Sequence, residues 1–246
     1  METSPKIQKT PRAKKTKELP CNEKYKLWFY KIRITLKVHT KVTRTIILPA
    51  QLRLDQVHDV IQNAFGWYDC HLHCFETRYG NFSAKSVDDF DNDDIDEREV
   101  RLCDVLNPFA KSMVYEYDFG DSWDHKITLM SADYNKPIPQ PIYCEKAVGA
   151  TPPEDCGGIG GYYSLCEALA NKDHSERARW LEWLEWIGRD SEDDIIWPDK
   201  VDLEVINDNL DLDYFPEPPI ETNEEEEDDD DWSFLDDLEE DEDDDI

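Results

Sequence analysis

Residues 28–38 read WFYKIRITLKV, and their alternation decides the fold. Trp28, Tyr30, Ile32, Ile34, Leu36 and Val38 fall on one side of an extended chain; Phe29, Lys31, Arg33, Thr35, Lys37 and His39 fall on the other. A period of two with one apolar set marks a half-buried β-strand. The β-branched residues 42–48 are expected to return antiparallel to it and to stop at Pro49, which has no N–H for a ladder. Leu54, Val57, Ile61, Ala64 and Phe65 then recur at helical spacing, and Gly66 closes that helix. Strand, strand, helix predicts an α+β fold: an antiparallel or mixed sheet covered by helices.

Working outward, residues 70–77 suit a third strand, and a short helical turn is expected at 102–106. Residues 113–130 form a second hairpin. Helices are expected over 162–171, 176–187 and 203–210, the second with a core stripe of Trp180, Trp183, Leu184 and Ile187. The stretch 135–153 carries Pro137, Pro139, Pro141, Pro152 and Pro153 and is read as an ordered loop.

The chain has 246 residues and a net charge of −31. Residues 217–246 hold nineteen acids and no base, while residues 1–53 hold fourteen Lys and Arg against three Glu. Residues 1–20 and 217–246 have the low apolar content and high charge of disordered segments. A single domain is therefore expected over 21–216, between a basic leader and an acidic tail. The tail is either a solubilising segment or a binder of a basic partner, its own N-terminal region included. Seven Cys without regular spacing, and no long apolar run, point to the cytoplasm, free thiols and no membrane partner.

Residues 115–129, YEYDFGDSWDHKITL, place Asp118, Asp121, Asp124 and His125 around a tight turn between two alternating runs. Such a set can bind a cation or a polar ligand. Equally, Asp118 and Asp121 can hydrogen-bond the turn backbone, with His125 donating to one of them. The segment TPPEDCGGIGGYY, 151–163, puts Gly157, Gly158, Gly160 and Gly161 where a helix begins. It matches neither a dinucleotide fingerprint nor a Walker loop, and Glu154 and Asp155 would repel phosphate, so a tight structural turn is the simpler reading.

In Cys70-His71-Leu72-His73-Cys74, a strand would send His71 and His73 to one face and the two Cys to the other. The His pair can share a metal if ligands such as Asp121, His125, Glu154 or Asp155 arrive from elsewhere. Without them the histidines are ordinary hydrogen-bonding groups on a sheet surface. Cys74, Cys156 and Ser122 are the candidate nucleophiles, with no diagnostic spacing to a histidine. Phe29 with Lys31, Arg33 and Lys37 forms a basic strand face that can track a nucleic-acid backbone, but the rest of the domain is acidic.

The ordered blocks QLRLDQVHDVIQNAFGWYDCHLHCF, YEYDFGDSWDHKI, TPPEDCGGIGGY and VDLEVINDNL resemble the plasmid pRiA4b ORF-3-like family from about residue 25 to residue 210. The resemblance implies one α+β domain and a link to mobile elements, and it brings no established activity. It also implies that the family's recurrent polar positions correspond to His71, His73, Tyr117, Asp118, Asp121, Trp123, His125, Glu154, Asp155 and Asn207. Where many members have Trp-Arg-Arg in the second strand, this chain has Val42-Thr43-Arg44.

The resulting expectation is a cytoplasmic binding or accessory module acting through a polar Asp/His/Glu face. Its ligand-binding candidates are His71, His73, Tyr117, Asp118, Asp121, Trp123, His125, Glu154 and Asp155, with His71, His73, Asp121 and His125 as metal candidates. The alternatives are a metal-dependent hydrolase using the same residues and a nucleic-acid-associated accessory protein, the latter not through the folded domain. The sequence names no cofactor, substrate, partner or oligomeric state.

Overall fold

β1 (Phe29–Leu36) and β2 (Val42–Pro49) pair antiparallel, Ile32 opposite Ile46 and Ile34 opposite Arg44. Helix α1 (Leu54–Phe65) lays Leu54, Val57, Ile61 and Phe65 on the face that carries Tyr30, Ile32, Ile34 and Leu36. Each fully buried Ile or Leu there contributes about 1.5–3 kcal/mol relative to exposure. Gly66, at φ 71°, ends α1 in the left-handed conformation, and its N–H donates to the Gln62 carbonyl. Trp28 precedes the ladder and is 73 % exposed. Phe29, on the opposite face, is buried in a small second core with Ile47 and Ile138, so β2 is covered on both sides.

The computed structural model describes residues 28–38, 41–85, 94–188 and 200–212, all within one unit of residues 1–216. The expectations for residues 1–20 and 217–246 lie outside the described residues. The remaining strands are β3 (His73–Thr77), β4 (Gly80–Ser83), β5 (Ile95–Asp96), β6 (Ser112–Tyr117), β7 (Trp123–Ser131) and β8 (Tyr143–Val148). They complete an eight-stranded sheet in the order β5-β4-β3-β6-β7-β1-β2-β8. All pairs are antiparallel except β4 with β5, so the sheet is mixed. Helices α2 (Leu102–Val105), α3 (Gly158–Ala170), α4 (Arg177–Trp186) and α5 (Leu203–Asn209) follow the expected order, and α5 packs against α1 and β8.

Two expectations need correction. Residues 135–153 are not all loop: β8 pairs with β2 along the sheet edge. Pro137, Pro139 and Pro141 all precede the strand and Pro152 and Pro153 follow it, so the ladder itself is free of proline. The third strand starts at His73, not at residue 70. Asp69, at φ 54°, breaks the extended run, and His71 lies in the loop. His71 and His73 therefore do not share a strand face.

Candidate functional site

Three segments meet beside β6: the loop after α1 (residues 66–72), the β6–β7 turn (residues 118–122) and the loop before α3 (residues 149–157). Among the described residues, the non-glycine positions with positive φ are Asp69, Asp118, Ser122 and Asp155, and all four lie in these segments. A left-handed L-residue costs about 1–2 kcal/mol, least for Asp and Asn. Asp118 offsets part of that cost: its Oδ1 accepts the N–H groups of Gly120 at 2.9 Å and Asp121 at 3.3 Å. Asp121 holds the glycine loop rather than the turn, its Oδ2 accepting the Gly157 N–H at 3.2 Å at the start of α3. A Cβ on Gly158 would stand 2.7 Å from the Asp121 carbonyl oxygen, so glycine there lets the helix start rest on the turn.

Tyr117 joins the three segments. Its hydroxyl donates to Glu154 Oε1 at 2.5 Å and accepts the Cys70 N–H at 3.0 Å. Burial and the Glu154 carboxylate hold the phenol pKa well above its ordinary value, so it remains a donor. Glu154 Oε2 accepts the Tyr68 N–H at 2.8 Å, which occupies both oxygens of that carboxylate. His71 stands edge-on to the Tyr117 ring at 5.8 Å. Its Nε2 is 3.2 Å from Asp155 Oδ1 and 3.7 Å from Asp118 Oδ2. That nitrogen is buried and makes no hydrogen bond to either, the Asp118 oxygen being too far for one.

The neighbouring histidines are arranged differently. His73 stacks on His58 with ring centres 3.6 Å apart, and its Nε2 donates to the buried Glu97 carboxylate at 2.7 Å. His58 Nε2 donates to Asp69 Oδ1 at 2.9 Å, while Nδ1 accepts the Tyr115 hydroxyl proton at 2.8 Å. Gln62 donates to that same hydroxyl at 3.0 Å and accepts the Asp69 N–H at 3.2 Å. Burial first, and then the neighbouring His73, push the His58 pKa down to about 4, so its imidazole is neutral at pH 7. His58, Asp69 and Glu97 are not among the residues singled out from the sequence. His58 and Gln62 nevertheless complete the stripe Leu54, Val57, His58, Ile61, Gln62, Phe65 on the buried side of α1.

The other candidates lie elsewhere. His125 is wholly buried among Phe65, Trp67 and Tyr115. Its Nδ1 donates to the Tyr115 carbonyl at 3.3 Å, and burial lowers its pKa to about 4. It donates to neither Asp118 nor Asp121, because it shares the inward parity of Trp123 and Ile127 on β7. Trp123 is likewise in the core. Asn207 caps the sheet edge, accepting the Cys144 N–H at 2.8 Å and donating to the Cys144 carbonyl at 3.1 Å. Arg44 is buried against the end of α1, donating to the carbonyls of Ala64, Thr43 and Gly149 and to the Thr151 hydroxyl. Burial lowers its pKa to about 10, which leaves it charged at neutral pH.

Burial pushes the thiols of Cys74 and Cys156 up to about 12, which keeps them protonated and poor nucleophiles. On the basic strand face, Lys31 pairs with Glu145 and Lys37 with Asp124, and Phe29 is buried. Arg33 remains exposed on that face.

A cleft of about 880 Å³ opens beside the convergent group. Its walls include Trp67, Tyr68 and Cys70 from the loop after α1, Pro152 to Asp155, and Val205, Ile206 and Asn209 near the C-terminal end of the described chain. Trp67 is fixed there by its Nε1–H to the Pro152 carbonyl at 2.9 Å and by stacking on Tyr117 at 5.0 Å.

The architecture and this face define an α+β domain that carries a polar convergence, fed by three loops, at one end of a mixed sheet. The chain belongs to the plasmid pRiA4b ORF-3-like protein family, which it matches over residues 28–204. It is 38 % identical over 154 residues to the uncharacterized protein y4hQ of Sinorhizobium fredii, spanning 62 % of this chain and 78 % of that one. The crystal structure of a protein of unknown function, MM3350 from Methanosarcina mazei Go1, superposes with a TM-score of 0.62 at 25 % identity. That match covers 72 % of this chain and 97 % of the other. No helix among the described residues is long and apolar enough to cross a membrane.

Proposed function

We propose that this chain is a cytoplasmic binding domain whose ligand is received where His71, Tyr117, Asp118, Glu154 and Asp155 converge and enters the adjoining cleft. The observation that carries this reading is that the four left-handed non-glycine residues among those described, three aspartates and one serine, all lie in the converging loops. Backbone strain of that kind persists only where the surroundings over-determine it, and it gathers at ligand sites. Tyr68, Leu72 and Phe119, on the same segments, are 77, 69 and 51 % exposed, which suits a ligand with an apolar part beside its polar groups. The free cysteines of the described residues, Cys70, Cys74, Cys103, Cys144, Cys156 and Cys166, accord with a reducing compartment.

A hydrolytic role is less well supported by the same geometry. It needs an acidic general base free to take a proton from water; Glu154, held on both oxygens by Tyr117 and the Tyr68 N–H, is not free, which leaves that role to Asp155. The binding reading is tested by screening a chemically mixed metabolite library by ligand-observed NMR and mapping hits onto backbone amide shifts. The amides of Tyr68, Cys70, His71 and Asp155 should move with a hit. Hits that consistently map to the far edge, β4 and β5, would overturn it.

A further inference from the structure

We infer that His71, Asp118 and Asp155 form a site for one divalent first-row cation, with its remaining coordination positions open toward the cleft. This rests on the binding reading above and specifies the chemistry of the same face.

The three side chains each offer one ligand atom, and those atoms all lie within 4.8 Å of one another. Two ligands at about 2.1 Å from a tetrahedral ion stand about 3.4 Å apart. The distances from His71 Nε2, 3.2 Å to Asp155 Oδ1 and 3.7 Å to Asp118 Oδ2, bracket that separation. The competing explanation, a hydrogen-bonded histidine, fails on partnering: the 3.7 Å contact is too long, and the 3.2 Å contact forms no hydrogen bond. A histidine that merely hydrogen-bonds a carboxylate aims its N–H at one oxygen, and here Nε2 has no hydrogen-bond partner although two carboxylates flank it. A buried ring nitrogen flanked by two carboxylate oxygens and bonded to neither is an arrangement that an ion's ligands take.

The supporting contacts fit as well. Asp118 spends Oδ1 on the Gly120 and Asp121 N–H groups, which fixes the carboxylate and leaves Oδ2 for the site. Both aspartates are in left-handed backbone, Asp118 at φ 58° and Asp155 at φ 58°. Asp155 also lines the cleft, so an ion held there would face an incoming ligand. The surroundings are strongly anionic: Glu154 and Asp69 lie on the same loops, and two carboxylates so close repel each other unless a cation joins them.

The second group with metal-ligand spacing, His58, Asp69 and His73, carries no such inference. Both ring nitrogens of His58 are engaged, so it could hold an ion only by giving up its bond to Asp69 or Tyr115, and His73 Nε2 is bonded to Glu97.

The chemistry of the donor set, one imidazole and two carboxylates, suits Mn²⁺ and Zn²⁺. Mn²⁺ is the better probe, because exposed Cys70 would compete for Zn²⁺. The full chain, prepared without an affinity tag and stripped with chelator, is titrated with Mn²⁺ at pH 7 by calorimetry. One ion per chain is expected, with Kd tighter than roughly 100 μM. Asp155→Asn and His71→Ala should each weaken binding at least about tenfold. Asp69→Asn, which alters the closed group, should leave the affinity within about twofold. Asn tolerates left-handed backbone and Asp155 is mostly exposed, so Asp155→Asn keeps the test valid should His71→Ala fail to fold. No binding by the wild type, or binding equally strong in Asp155→Asn, would overturn the inference. Ligand hits mapping to the same face without any ion would then leave the binding reading standing, whereas loss of both would remove it too.

Discussion

Two histidine clusters touch the same tyrosine and could hardly be finished more differently. His58 and His73, whose ring centres lie 3.6 Å apart, have three of their ring nitrogens, both of His58 and Nε2 of His73, engaged by Asp69, Tyr115 and Glu97. His71, two residues from His73, leaves a buried nitrogen unbonded between two carboxylates. Both neighbourhoods contain imidazole and carboxylate, so composition does not separate them. Hydrogen-bond completion does. A closed network has its desolvation cost met internally and rigidifies the core; an open one still needs a partner.

The largest expected effect is the acid sensitivity of the buried, neutral histidines. His58 and His125 both titrate near 4 when folded, against about 6.5 when unfolded. A depressed folded pKa means that the unfolded chain takes up the proton first. Their contribution is therefore intact above about pH 6.5 and is lost as pH falls toward 4, by at most about 3 kcal/mol for each group. Urea denaturation at pH 7 and pH 5 should show this fall. His125→Phe, in its aromatic surround, should be within about 1 kcal/mol of wild type at pH 7 and lose less at pH 5. An unchanged acid slope in that variant would show that His125 is not buried neutral.

Next in size is the buried pair. Glu97→Ala strands His73 and should cost about 3 kcal/mol, whereas His71→Ala should cost less than about 1 kcal/mol. Equal costs would erase the distinction between closed and open. Tyr117→Phe removes the hydroxyl that links Glu154 to the Cys70 N–H, and a loss of about 1–2 kcal/mol is expected by thermal denaturation. The smallest effect is Asp118→Asn, which keeps the turn acceptor and the left-handed backbone. Its stability should stay within about 0.5 kcal/mol of wild type while ion affinity falls.

The β1–β2 hairpin, α1 and the β6–β7 hairpin were legible because one face of each is buried and the apolar period shows it. β8 was not, since the prolines around it dominate the composition of a short edge strand. The inward parity of His125 with Trp123 and Ile127, and of His58 with Leu54 and Ile61, was also present in the sequence. What local pattern does not carry is which partners those histidines meet. That depends on the β3–β6 register, which sets His73 opposite Tyr117, and on left-handed Asp69, which takes His71 out of the strand. The candidate site was thus visible as a list of polar residues, and its division into a sealed and an unsealed half arises only from tertiary pairing.

An anomalous difference map from crystals soaked in Mn²⁺ tests that division most directly. One peak is expected, about 2.0–2.3 Å from His71 Nε2, Asp118 Oδ2 and Asp155 Oδ1, and none between His58, Asp69 and His73. A peak in the second group, or none in the first, would contradict it.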